Sequence, residues 1–153
     1  MDESLLVRRE TQIAAPPATV FAFLTDPDKI LRWMGTEVAS EPHPGGLYLI
    51  KGVGGARGPV ARGAFREVVP VHRLAYTFGW DGDETVPPGS SLIEIDLIDR
   101  DGGTLVRMTH SGLPNAERCA AHARGWAHYF GRLATVASGR DPGEDAGPPQ
   151  QGA

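Results

Sequence analysis

The sequence predicts an α+β fold in which one curved antiparallel sheet of about seven strands wraps around a single long C-terminal helix. Three observations carry that expectation. Between Glu37 and His110 the chain runs through segments of alternating apolar and polar residues, the period-2 signature of half-buried strands. The connections between them are Gly-Gly, Asp-Gly and Pro-Pro-Gly clusters, too short for parallel crossovers, which need a dozen residues or more. From Cys119 to Ala137 the apolar residues recur at helical spacing, through Ala120, Ala123, Trp126, Ala127, Phe130, Leu133 and Ala134.

Each element can be justified in order. Leu5, Val7, Thr11 and Ile13 share one face of a first strand, with Arg8, Glu10 and Gln12 on the other and Arg9 as an exception to the pattern. Pro16-Pro17 opens a short helix whose Val20, Phe21 and Leu24 share a face. Asp26-Pro27, a capping carboxylate followed by a first-turn proline, opens a second helix that stops at Gly35. Six strands follow, over 37–40, 46–53, 60–69, 73–80, 91–99 and 104–110. Alternation turns Ile50, Phe65, Leu74, Tyr76, Phe78 and Trp80 inward, and likewise Ile93, Ile95, Leu97, Val106, Met108 and His110. Only the long helix is large enough to cover that face. One domain is expected over residues 1–139. Residues 140–153 hold no apolar side chain larger than Ala or Pro, and the expectation for them is a disordered tail.

Composition narrows the function classes. With 153 residues, 41% apolar, 22% charged and a net charge of −4, the chain has one core and no basic field for nucleic acid or an anionic membrane. The apolar stretch from Ile13 to Thr25 contains Pro16 and Pro17 and fits neither a signal peptide nor a membrane span. Cys119 is the only cysteine, so no disulfide framework exists and the cytoplasm is the expected location.

Few residues offer chemistry. His110 ends a strand on the inward face, where it fits an acid/base group at a cavity rim or a strand-end histidine bonded to backbone. Trp126, Tyr129 and Phe130 would stack on a flat ligand or simply fill the groove. Gly125 costs about 1 kcal/mol relative to Ala in mid-helix, which points to a close backbone approach or to cavity volume. Tyr48, Tyr76, Phe78 and Trp80 form a candidate opposite wall, and Trp33 with Met34 a candidate entrance; Phe65, Ile95 and Met108 complete the set of ligand-binding candidates. No metal site is expected: Cys119 and His122 are one turn apart, but His128 lies about 240° around the helix from His122. His122 reads as a surface imidazole. The glycine run 52–58 lacks the Lys-Ser/Thr of a phosphate loop and reads as a hairpin connection. Glu67, Glu94 and Asp96 read as solvated sheet surface.

Particular residues within this order resemble a known family. Thr25-Asp-Pro27 leading to Trp33, Pro44-Gly-Gly46, Gly63-Ala-Phe65, Arg73-Leu-Ala-Tyr76, Thr109-His-Ser-Gly-Leu-Pro114 and Gly125-Trp126 are similar to the Hsp90-ATPase-activator-homologue (AHSA1-like) family. That family belongs to the START-like helix-grip superfamily (SRPBCC, Bet v 1-like), and the resemblance spans residues 6–139. It implies an internal hydrophobic cavity between sheet and helix, and no universal catalytic motif. The co-chaperones of the family carry an extra N-terminal chaperone-binding domain, which the four residues before Leu5 are not expected to supply.

Three functions follow as expectations. The first is binding of a small hydrophobic or aromatic molecule without catalysis or cofactor. The second is a polyketide cyclase or dehydratase-like enzyme that uses the same cavity, with His110, Tyr76 or Tyr129 moving protons. The third is an interaction module whose partner is a chaperone or, as a homodimer, a second copy.

Overall fold

The computed structural model describes residues 5–148. Strand β1 (Val7–Ile13) is followed by helices α1 (Pro17–Thr25) and α2 (Pro27–Ile30). Six strands come next: β2 (Glu37–Ser40), β3 (Leu47–Lys51), β4 (Ala61–Val69), β5 (Arg73–Phe78), β6 (Ser91–Arg100) and β7 (Gly103–Ser111). The final element is α3 (Ala116–Ala137). This is the expected order, with strand ends differing from the sequence reading by one or two residues.

The sheet order is β1-β7-β6-β5-β4-β3-β2, antiparallel throughout. From β2 to β7 it is a meander. The α1–α2 pair carries the chain from one sheet edge to the other, so the first strand pairs with the last, Val7 opposite His110 and Ile13 opposite Thr104. The β6–β7 turn holds Asp101 and Gly102 at φ 53° and 75°, the left-handed pair that a two-residue hairpin requires.

The two short helices start where the sequence marks them, and α3 starts at a cap the apolar stripe did not mark. Asp26 accepts from the Asp28 backbone N–H ahead of Pro27, and Asn115 accepts from the Arg118 N–H to open α3. Gly35, at φ 86°, ends the turn after α2.

The inward face is as read, although Ala75 and Thr77 on β5 and Leu105 on β7 are buried on the other face as well. Leu74, Tyr76 and Phe78 on β5, Ile93, Ile95 and Leu97 on β6, and Val106, Met108 and His110 on β7 are all buried. On the outer face Arg73 bridges Glu67 at 2.8 Å, Glu94 at 2.6 Å and Asp96 at 3.0 Å, so the three strand carboxylates share one guanidinium and raise its pKa. Such a part-exposed network contributes modestly to stability. Arg9, the exception in β1, has a buried Nε with no partner.

Helix α3 packs chiefly on β1 and also meets α1. Its buried side chains are Cys119, Trp126, Tyr129, Phe130, Leu133, Val136 and Ala137. The sequence stripe therefore needs correcting, because Ala120, Ala123 and Ala127 are exposed while Tyr129 and Val136 are buried. Alanine gains little from either face; the rotation is set by the three aromatics, whose burial contributes far more. Residues 140–148 form no helix or strand and run back beside α3. The expectation of disorder also covers 149–153, which lie outside the described residues. No helix among the described residues is long and apolar enough to cross a membrane.

Candidate functional site

A half-open cavity of about 840 Å³ lies between the N-terminal half of α3, the end of β5 and the adjoining loops. Its aromatic lining is Phe78, Trp80, His122, Trp126 and Tyr129, with Met34 at one side. Gly125 also lines it, and a Cβ built there would meet nothing within 4 Å. Of the two reasons expected for a mid-helix glycine, the structure supplies cavity volume and not a close backbone approach.

Two tryptophan–histidine pairs organise the floor. Trp126 donates from Nε1 to His110 Nδ1 at 3.0 Å. An indole can only donate, so Nδ1 is unprotonated and the neutral imidazole carries its hydrogen on Nε2, 2.8 Å from Ser91 Oγ. Ser91 then donates to the Phe78 carbonyl at 2.7 Å. A proton added at Nδ1 would face the Trp126 N–H. Burial, with a smaller push from the neighbouring His122, brings the His110 pKa down to about 3.

The second pair runs from Trp80 Nε1 to His122 Nε2 at 3.0 Å, and His122 Nδ1 donates to the Arg118 carbonyl at 2.7 Å. His122 is half-buried, not the surface imidazole its sequence suggests, and burial lowers its pKa. Both indole N–H groups are thus committed to imidazoles, and ring surface is what remains to meet a ligand. Polar groups gather at the rim instead. Asp83 accepts the Thr85 and Val86 backbone N–H bonds, which hold its carboxyl below the usual range; Asp81 is paired with Arg62 at 2.8 Å, and Arg118 stands across from them.

The sequence candidates divide into two groups. Met34, Phe78, Trp80, Trp126 and Tyr129 line the cavity, and His110, fully buried, lies one layer beneath Phe78 and Trp126. Trp33, Phe130, Ile95 and Met108 are packed core, Trp33 stacking on Phe130 and donating to the Phe23 carbonyl. Tyr48, Tyr76 and Phe65 form a closed aromatic cluster, with the two tyrosine rings 4.1 Å apart. Burial raises the Tyr48 pKa to about 12, a hydrogen bond from Tyr76 pulling the other way, and burial likewise raises Tyr76 well above its ordinary value. Neither phenol is poised to lose a proton near neutral pH.

Sequence reasoning missed His122, Arg118, the acidic loop at 81–84, Val53 and Pro148 as lining residues. His122 precedes Trp126 by four positions, which places both on one helix face and could have revealed it. Loop residues have no such period. Among the described residues, no three His, Cys, Asp or Glu side chains gather as a metal-ligand set.

A curved antiparallel sheet gripping one long C-terminal helix, with an aromatic cavity at one end of the helix, defines a START-like helix-grip protein. Within that class, a family model described as Activator of Hsp90 ATPase homolog 1-like protein matches residues 14–138, and the chain belongs to that family. The solution structure of the AHSA1-like protein from Rhizobium etli is 66% identical, covers 99% of this chain and 95% of its own, and superposes with a TM-score of 0.73. The Aha1 dimer from Colwellia psychrerythraea shares the fold at 18% identity, with 87% and 96% of the two chains covered and a TM-score of 0.75. An HSP90 activator from Plasmodium falciparum does so at 15% identity, 86% and 95% coverage and a TM-score of 0.71. No curated protein matches the chain by sequence.

Proposed function

We propose that this protein binds one small, flat, hydrophobic or aromatic molecule in the cavity between the sheet and α3. The observation that carries the reading is the cavity itself, about 840 Å³ with an aromatic floor whose indole N–H groups are already bonded. Its volume lies within the range of pockets for drug-sized ligands, and stacking supplies most of the contact. Catalysis is the weaker reading. His110 has both nitrogens engaged and a pKa near 3, so its role is to orient Trp126 rather than to exchange protons with an occupant. The buried thiol of Cys119 suits a reducing cytoplasm as its compartment.

The Plasmodium relative's description as an HSP90 activator and the Colwellia dimer support a chaperone or a second copy as further partners. Large exposed apolar side chains among the described residues are limited to Leu31, just past α2, and Val69, at the end of β4. That favours the cavity over a surface patch as the place of recognition.

Gly125→Leu tests the proposal. The new side chain enters open space and improves helix propensity, so the fold is kept while the cavity is filled. The wild type should bind 1-aminoanthracene, a neutral flat fluorophore, at one site per chain, with quenching of tryptophan emission. Gly125→Leu should weaken that binding at least about tenfold, roughly 1.4 kcal/mol, without lowering the thermal midpoint. Equal binding by the two proteins, or none by the wild type, refutes the reading.

A further inference from the structure

The sequence predicts little burial for the stretch after α3, and residues 140–148 are tied down at two places. Arg132 donates from Nη1 to the carbonyls of Pro142 and Gly143, at 3.2 and 3.1 Å, while its Nε holds the Trp33 carbonyl at 2.9 Å. Two residues beyond Gly143, Asp145 accepts the Tyr129 hydroxyl at 2.8 Å on Oδ2, and His128 Nε2 lies 3.1 Å from Oδ1. Gly147 bonds back to Asp145 Oδ1 at 2.9 Å and runs beside Gly54, across the loop between β3 and β4. Pro148 then forms part of the cavity wall, on the side where Val53 and Tyr129 stand.

We infer that residues 140–148 are a strap that forms a movable wall of the ligand cavity, latched by Asp145 onto Tyr129 and His128. Strength and reversibility follow from its composition. Apart from the hydrogen bonds just named, the strap contributes no large apolar side chain, and its glycines at 143 and 147 hold positive φ. Such a segment opens locally at far lower cost than the core. Tyr129 is the hinge between the two states, because its ring lines the cavity while its hydroxyl holds the latch. An occupant that packs on Tyr129 and Pro148 steadies the closed strap, and by linkage the closed strap retains the occupant.

This inference rests on the binding reading above, and one pair of measurements separates the two. Glu144 is exposed at the centre of the strap, so a glutamate-specific protease can cut there once the segment is released. Asp145→Ala in the full chain should raise cleavage after Glu144 at least about fivefold and speed 1-aminoanthracene dissociation about tenfold, and Asp145→Asn, which still accepts from Tyr129, should restore much of both. Bound 1-aminoanthracene should slow cleavage of the wild type. Cleavage equally fast in wild type and Asp145→Ala overturns the latch. Faster cleavage with unchanged dissociation overturns the strap as a cavity wall, while the binding reading stands. No probe binding to the wild type overturns both.

Discussion

Acidification from about pH 7 to about pH 5 should cost this protein stability, chiefly through the buried imidazole of His110. His110 is fully buried, takes a hydrogen bond from Trp126 on Nδ1 and gives one to Ser91 from Nε2. Burial, as the main cause, brings its pKa down from the ordinary 6.5 to about 3. In the unfolded chain the same ring protonates below about 6.5, so between pH 6.5 and 3 the unfolded state binds more protons and stability declines as pH falls. At pH 5 the unfolded ring is about 1.5 units below its pKa, and at about 1.4 kcal/mol per unit the loss is roughly 2 kcal/mol. Carboxylates held low in the fold, among them Asp83 and Asp145, lose their contribution only at lower pH, so this window isolates imidazole. Burial also lowers the His122 pKa and adds a loss of the same sign. Urea unfolding followed by tryptophan fluorescence at the two pH values measures the difference. His110→Leu should be less stable at pH 7, because Trp126 and Ser91 each lose a partner, but its decline to pH 5 should be smaller by roughly 2 kcal/mol. A decline of equal size in wild type and variant, or an NMR titration of His110 with a midpoint near 6.5, would refute the reasoning.

Two further outcomes concern the frame. Val71 holds φ 73° after Pro70, in a turn closed by the His72 N–H to Val69 carbonyl bond, a left-handed geometry that a β-branched residue adopts only under strain. Val71→Asn should therefore raise stability by about 1 kcal/mol, near 3 °C in thermal midpoint, and a lower midpoint would count against strain at this turn. At Gly63 a Cβ would overlap the Thr77 carbonyl where β4 approaches β5, so Gly63→Ala should cost at least about 2 kcal/mol by urea midpoint. A cost below about 0.5 kcal/mol would show that the two strands can part without penalty.

How much was legible in the sequence varies by kind of interaction. Alternation on β5, β6 and β7 assigned the inner face correctly down to His110, since the pleat gives every second residue the same environment. The capping signal at Asp26 and the Asp-Gly turn at 101–102 are local chemistry, and the structure uses both as read, while the Asn115 cap of α3 is a finding of the structure. The helix face was less secure, because a run of alanines leaves its rotation undetermined until Trp126, Tyr129 and Phe130 meet the sheet. Within the candidate site, five of the proposed aromatic and methionine residues reach the cavity and the rest close up as core.

Periodicity and turn chemistry act over a few residues, so the elements, their order, the antiparallel meander and the inner sheet face could be read from local sequence. What the tertiary structure alone decided depends on pairs far apart in the chain. It pairs β1 with β7, sets Trp126 on His110 and Trp80 on His122, leaves space at Gly125 while Tyr48, Tyr76 and Phe65 close together, and returns Asp145 to Tyr129. Each of these is a contest over volume or hydrogen-bond partners between distant segments, and nothing within a short window of sequence records its outcome.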